Sequence, residues 1–196
     1  VTGGTHAGEF LRLLGNGSEF GVSRLLYGYQ HQAGGIAEAL GEAEGFVDGD
    51  PVLVMLADNV MERSIKPMVD AFRAEPSGAR ILLTAVDEPE HLRHLGVPVL
   101  DDDDRVVRIE EKPEAPASLF GVTGIYCYDA DVFDVIRTLE PSGRGELEIT
   151  DVNNHYVDAG HMAYDVLDGF WGDAGESIDA YYAVNDFVRA NGANKA

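Results

Sequence analysis

Six consecutive apolar residues, Val52-Leu53-Val54-Met55-Leu56-Ala57, run directly into a carboxylate at Asp58. An amphipathic helix would interrupt such a run with polar positions every third or fourth residue, and six residues are too few for a fully buried helix. The segment reads as a strand covered on both faces, a central parallel strand of an α/β sheet, with Asp58 at its carboxyl end. Ligands in open α/β sheets bind beyond the carboxyl ends of the strands, so this run also indicates where chemistry is to be sought.

The rest of the chain supplies partners for that strand. His6 to Leu14 spaces Phe10, Leu13 and Leu14 at helical intervals and stops at Gly15. Arg24 to Tyr29 predicts a strand, and Gly35 to Phe46 a helix with Ile36, Ala39, Leu40 and Ala43 on one face. A helix is expected over Ser64 to Ala74 with Pro67 in its first turn, and strands over Ile81 to Val86 and Val122 to Tyr128. Val97 to Leu100 and Val106 to Ile109 form a strand pair joined across Asp101 to Asp104. Helices over Asp131 to Leu139, Asp151 to Ala159 and Ser177 to Ala190, and a strand over Met162 to Leu167, complete the pattern. Alternating elements followed by strands without intervening helices predict a Rossmann-like doubly wound mixed sheet carrying a small antiparallel addition. The 196 residues suit one domain, residues 1–196, with no repeat or linker.

Asp and Glu number 35 against 14 Lys and Arg, a net charge of −21. Nucleic acid and anionic membrane surfaces are poor partners for such a chain, because both call for excess cation. An anionic small molecule is acceptable where a metal ion or backbone donors offset the field. No stretch approaches the ~18 apolar residues of a membrane span. Cys127 is the single cysteine, which leaves no intrachain disulfide or thiolate zinc cluster and makes a reducing cytosol the expected compartment. In its strand it is expected to pack, not to attack.

Several residues have the character of site groups. Asp58 suits Mg²⁺, which takes one or two carboxylates plus phosphate oxygens, though a strand-end cap is an equal use for it. Asp173 follows Phe170-Trp171 and stands between Gly172 and Gly175, where backbone comes close; a turn role serves it too. Tyr29 to Ala37 passes from a strand through Gly34 and Gly35 into a helix, presenting amides and the Gln30 side chain to a base edge, or making a plain turn. Glu110-Glu111-Lys112-Pro113 ends a strand on one of only three lysines, a cation for an anionic ligand or for a surface ion pair. Thr2 to Gly8 matches neither dinucleotide nor P-loop spacing and is expected to be a turn. The aspartates 101–104 lack the glycine and distal glutamate of a calcium loop and read as a solvated hairpin tip. His91 and His94 are expected on one helix face, without a third metal ligand.

Taken together, LLGNGSEFGV (Leu13 to Val22), YQHQAGGIAEAL (Tyr29 to Leu40), LADN (Leu56 to Asn59), LGVPVLDDDDRVVRIEEKP (Leu95 to Pro113), VTGIYCYD (Val122 to Asp129), GRGELEITDVNN (Gly143 to Asn154) and FWGDAG (Phe170 to Gly175) resemble the sugar nucleotidyltransferases of the glucose-1-phosphate thymidylyltransferase type. The resemblance implies the nucleotide-diphospho-sugar transferase fold and a Mg²⁺-dependent enzyme. In its reaction the phosphate of a sugar 1-phosphate attacks the α-phosphorus of a nucleoside triphosphate, dTTP or UTP, giving a nucleotide sugar, foremost dTDP-glucose, and pyrophosphate. It implies that Gln30 and Gly35 bind the base and that Asp58 and Asp173 hold the metal. Gly96, Glu111 and Val122 would line the sugar, Lys112 would meet its phosphate, and Trp171 would wall the site. Homo-oligomers are common in the family.

The chain departs from the family pattern at Ala57 for a glycine, at Leu95 for an aromatic and at Glu176 for a threonine. Nothing in it matches the family's opening strand and G-G-x-G-T-R-L loop, which cradles the triphosphate. Val1 aligns near the end of the family's second strand, so residues upstream are expected, and the chain alone is expected to be inactive. The readings left open are a UTP-using or other-sugar pyrophosphorylase of the same fold, and a non-catalytic nucleotide-sugar-binding module.

Overall fold

A computed structural model describes residues 1–195. In chain order the elements are β1 (Thr2–Gly3), α1 (Ala7–Leu14), β2 (Tyr29–Gln30), α2 (Ile36–Gly41), α3 (Glu44–Val47), β3 (Val52–Met55), β4 (Asn59–Met61), α4 (Lys66–Ala74) and β5 (Ala79–Ala85). There follow α5 (Pro89–Leu92), β6 (Gly96–Leu100), β7 (Val106–Glu111), β8 (Phe120–Tyr128), α6 (Val132–Thr138), α7 (Ile149–Asp158), β9 (Met162–Val166), β10 (Trp171–Asp173) and α8 (Ile178–Asn191). They fall into two compact units, Val1–Asp50 with Ala130–Val152, and Pro51–Asp129 with Asn153–Ala196.

In the first unit β1 and β2 pair in parallel, Thr2 opposite Tyr29 and Gly3 opposite Gln30. The glycines after β1 make the expected turn into α1. The helix expected over Gly35 to Phe46 is broken: α2 stops at Gly41 and α3 begins at Glu44. Glycine at that point carries the largest backbone entropy cost of any ordinary residue, and Phe46, at the end of the expected helix, is exposed. Of the strand expected over Arg24 to Tyr29 only Tyr29 is in β2, which continues to Gln30, and the Gly28 carbonyl before it still accepts the Thr2 N–H at 2.9 Å. In α6, Val132, Phe133, Val135 and Ile136 are buried, as its apolar spacing requires.

The second unit is built on a four-stranded sheet ordered β3-β8-β5-β9. β8 is antiparallel to both β3 and β5, and β5 is parallel to β9. β8 and β5 are the interior strands, and from Gly121 to Tyr128 every residue of β8 is buried. The apolar run at Val52 does form a strand, β3, but it is not central and not parallel. Among the described residues it pairs only with β8, and its burial alternates, leaving Leu53 and Met55 44% and 46% exposed. Local hydrophobicity specifies an extended segment; its place in the sheet depends on partners distant in sequence.

Behind this sheet Met61, Met68, Phe72, Leu82, Ile125, Cys127 and Leu167 form a core cluster, with Ile65 and Trp171 against it. Burial raises the Cys127 thiol to about 11, consistent with packing and not with a nucleophile. β6 and β7 make the expected antiparallel pair. At its tip the Asp101 carboxylate accepts the backbone N–H groups of Asp103 (3.0 Å) and Arg105 (2.8 Å), donors that lower its pKa. α5 ends at Leu92, so His94 lies beyond it and shares no helix face with His91. A second ribbon, β10 antiparallel to β4, was not legible in the sequence; its three-residue strands are too short to show a period.

Candidate active site

The short β4–β10 ribbon does the decisive positioning. Its register sets Asp173 opposite Asn59, next to Asp58, and Ala174 N–H donates to the Asp58 carbonyl at 2.9 Å. A methyl group placed on Gly175 would lie 2.7 Å from Asp58 Oδ2 and 3.3 Å from Asp173 Oδ1. Two carboxylates 115 positions apart in sequence therefore reach one point. Partial burial raises the Asp173 pKa first, opposed by the Gly175 N–H that donates to its Oδ1 at 2.8 Å, with the charges of Asp58 and Glu176 raising it further. A pair of like-charged oxygen donors is unfavourable by itself and favourable around a cation.

The pair fits Mg²⁺, a hard ion that is satisfied by one or two carboxylates and takes its remaining oxygens from water and phosphate. No group of three or more His, Cys, Asp or Glu side chains suited to a metal occurs among the described residues, so an all-protein cage for zinc or calcium is absent from them.

Asn59 holds this arrangement together and was not singled out from the sequence, although it is the last residue of LADN. It is 4% exposed. Its Nδ2 donates to Asp58 Oδ1 (2.9 Å), while its Oδ1 accepts from Gly124 N–H (2.8 Å) and from the Trp171 indole N–H (2.8 Å). One buried amide thus fixes the Asp58 carboxylate, the indole and the β8 backbone. Gly124 permits it: a Cβ there would stand 2.7 Å from Asn59 Nδ2 and 2.8 Å from Leu56 Cδ1. The only signal in the sequence was a glycine within an otherwise bulky strand, which marks close approach.

The β6–β7 pair gathers a second set. Gly96 is the register partner of Glu111, and Lys112 N–H donates to the Leu95 carbonyl at 3.0 Å. Lys112 has φ of 47°, the left-handed region that costs an L-residue with a side chain about 1–2 kcal/mol. Its ammonium is 3.9 Å from Glu111 Oε1. Leu95 packs on Val86, Leu92 and Val97. Val122 is buried in β8, opposite Leu83. The Tyr126 phenol is raised by burial and by the charges of Glu111 and Asp58, which keeps it protonated.

Gln30 and Gly35 belong to the first unit. Gln30 Nε2 donates to Glu38 Oε2 (2.7 Å) and to the Gly35 carbonyl (3.1 Å). Gly35 has φ of 97°, and a Cβ there would come within 2.3 Å of the Leu147 carbonyl oxygen. Only glycine fits, and the turn expected from the sequence is real. Leu147 lies within GELEITDVNN, and its N–H donates to the Gly34 carbonyl at 2.8 Å, so two of the quoted segments meet in this unit.

The nucleotidyl transferase family model matches residues 1–191, across both units. A glucose-1-phosphate thymidylyltransferase of Actinoplanes sp. is 43% identical over 193 residues, which is 97% of this chain and 62% of that protein. A low-salt glycan biosynthesis nucleotidyltransferase of Haloferax volcanii is 37% identical over 172 residues, 87% of this chain and 47% of that one. The chain thus spans less than two thirds of the length of these relatives. Among solved structures, a Bacillus anthracis protein assigned as a glucose-1-phosphate thymidylyltransferase, in complex with a sucrose, superposes with a TM-score of 0.87 at 44% identity, covering 96% of this chain and 74% of its own. A UDP-glucose pyrophosphorylase complexed with UDP-glucose shares the fold, with a TM-score of 0.76 at 20% identity over 95% of this chain and 74% of that one.

Proposed function

The chain belongs to the nucleotidyl transferase family, and on that footing we propose that the protein carrying it transfers a nucleotidyl group from a nucleoside triphosphate to a sugar 1-phosphate, with dTTP and glucose 1-phosphate as the pair and dTDP-glucose and pyrophosphate as products. The observation that carries this reading is the convergence of Asp58 and Asp173 beside Gly175. The names of the Actinoplanes and Bacillus relatives support the choice of base and sugar.

In this reading a phosphate oxygen of the sugar 1-phosphate forms the new bond to the α-phosphorus while the bond to the β-phosphate oxygen breaks. Mg²⁺ held by Asp58 and Asp173 would neutralise phosphate charge. The protein's own part is positioning and electrostatics. Lys112 would bring a fixed positive charge to the sugar phosphate. Gly96, Glu111 and Val122 would line the sugar, and Trp171 would close one side of it. Gln30 and Gly35 would read the base. The single nucleotidyltransferase domain, residues 1–196, and a cytoplasmic location belong to the same proposal. No helix among the described residues is long and apolar enough to cross a membrane.

The test is pyrophosphate release by the full-length protein with dTTP or UTP and a panel of sugar 1-phosphates, with and without Mg²⁺. Turnover with dTTP and glucose 1-phosphate that Asp58→Asn abolishes is the expected result. Preference for UTP would transfer the reading to a uridylyl enzyme of the same fold, and nucleotide-sugar binding without any turnover would overturn it.

A further inference from the structure

Trp171 is the single tryptophan of the chain, and its N–H is already committed to Asn59. Its ring orientation is therefore fixed at one atom, which leaves rotation about that bond to be restrained by whatever lies against the ring. That neighbour is His91, from α5. The two rings stack with centroids 6.1 Å apart and planes 24° from parallel. His91 is restrained in turn. The next residue, Leu92, is fully buried against Val86 and Val97, and His91 Nε2, shielded from solvent, lies 3.0 Å from Glu176 Oε2 without the geometry of a hydrogen bond.

Glu176 lies three residues beyond Asp173. Its N–H reaches the Asp173 carbonyl at 3.5 Å, and its charge adds to those that raise Asp173. A third carboxylate this close to a two-carboxylate site is unfavourable unless something holds it. Neither His91 nor Glu176 has a role in the reaction as described above, yet together they join the segment leading into Gly96 to the segment that follows Asp173.

We propose that His91 is a positioning residue: clamped between Trp171 and Glu176, it sets the plane of the indole that walls the sugar and keeps the Glu176 carboxylate directed at imidazole. The proposal rests on the sugar-nucleotidyl reading only for the word sugar; the clamp itself is a statement about Trp171. Stacking supplies the plane, and the Glu176 contact supplies the register of the imidazole.

Two measurements on the full-length protein test it, with Trp171→Phe as the blank that isolates the Trp171 emission. In His91→Ala, and to a smaller extent in Glu176→Ala, the Trp171 emission shifts to longer wavelength and becomes more accessible to acrylamide. In His91→Ala the KM for the sugar 1-phosphate rises about tenfold, while kcat and the KM for the nucleotide stay within about twofold. His91→Phe, which keeps a ring on the indole, recovers most of both effects. Unchanged emission in His91→Ala overturns the clamp. Changed emission with an unchanged sugar-phosphate KM overturns its role in sugar positioning. A parallel fall in kcat and both affinities, not recovered by His91→Phe, shows a general structural role and also overturns it. If the parent protein releases no pyrophosphate with any pair, the function reading fails and the sugar role with it, while the emission data still decide the clamp.

Discussion

The two halves of the candidate site in the second unit are fastened in opposite ways. Asp173 ends β10 and Asp58 immediately precedes β4, on a ribbon whose strands are three residues each, and the pair depends on a buried amide: Asn59 bonds Asp58, the indole and the β8 backbone at once. Lys112 stands just past β7, a six-residue strand in an antiparallel pair whose register shifts between Val99 and Leu100, and its backbone is held by a ladder ending in the Lys112 to Leu95 bond and by a left-handed turn. Where two like charges must share a point, a ladder does not suffice, because repulsion favours rotating the side chains apart; a side-chain hydrogen bond inside the structure resists that. A cation beside a carboxylate, as Lys112 is beside Glu111, meets no such repulsion, and a backbone that aims it suffices.

That contrast is most directly broken at the carboxylates. Asp58→Asn and Asp173→Asn are each expected to lower steady-state pyrophosphate release about 10²–10³-fold, with the melting temperature unchanged or raised. Activity close to that of the parent in either variant would mean the pair does not act on the reacting phosphates.

The next effect is on stability. Gly124→Ala forces a methyl into Asn59 and Leu56, and a cost of about 1–3 kcal/mol is expected, read as a lower midpoint in urea. Asn59→Ala should cost a comparable ~1–3 kcal/mol, because the Gly124 and Trp171 N–H groups lose their acceptor. Equal midpoints for parent and Asn59→Ala would show that the amide is not the fastening argued above.

Lys112→Gly sharpens the other side of the comparison. Removing the side chain relieves the left-handed strain but frees the unfolded chain, leaving a net gain of below about 1 kcal/mol. Turnover should fall while the melting temperature does not. A fall in both would mean that the Lys112 side chain holds the turn.

The smallest effect is the pH dependence of Asp173. Its carboxyl is raised in the folded state above the ordinary 3.8, mainly by burial, so between those two values the folded chain binds more protons than the unfolded one. Stability from this group is therefore lost as pH rises through that window. Asp173→Asn should be more stable than the parent at neutral pH, with the difference closing as pH falls toward 3.8, and Mg²⁺ should reduce the difference at pH 7. Parallel stability curves for the two proteins would refute this.

Much of this was legible in residue order. The apolar runs at Val52, Ile81 and Val122 marked strands and the Asp101 to Asp104 turn was a hairpin tip; of the residues the resemblance pointed to, the structure brings Asp58 to Asp173 and Gly96 to Glu111. Local hydrophobicity and turn chemistry act between neighbours, so a linear string records them. The tertiary structure alone placed β8, not β3, at the centre of the sheet, since pairing order is a competition among distant partners. It alone formed the β4–β10 ribbon, gave Asn59 its three bonds and set His91 on Trp171. Apart from the bond between the neighbours Asn59 and Asp58, those are contacts between residues from 65 to 114 positions apart, and the free energy of bringing such segments together is supplied by packing that no local pattern contains.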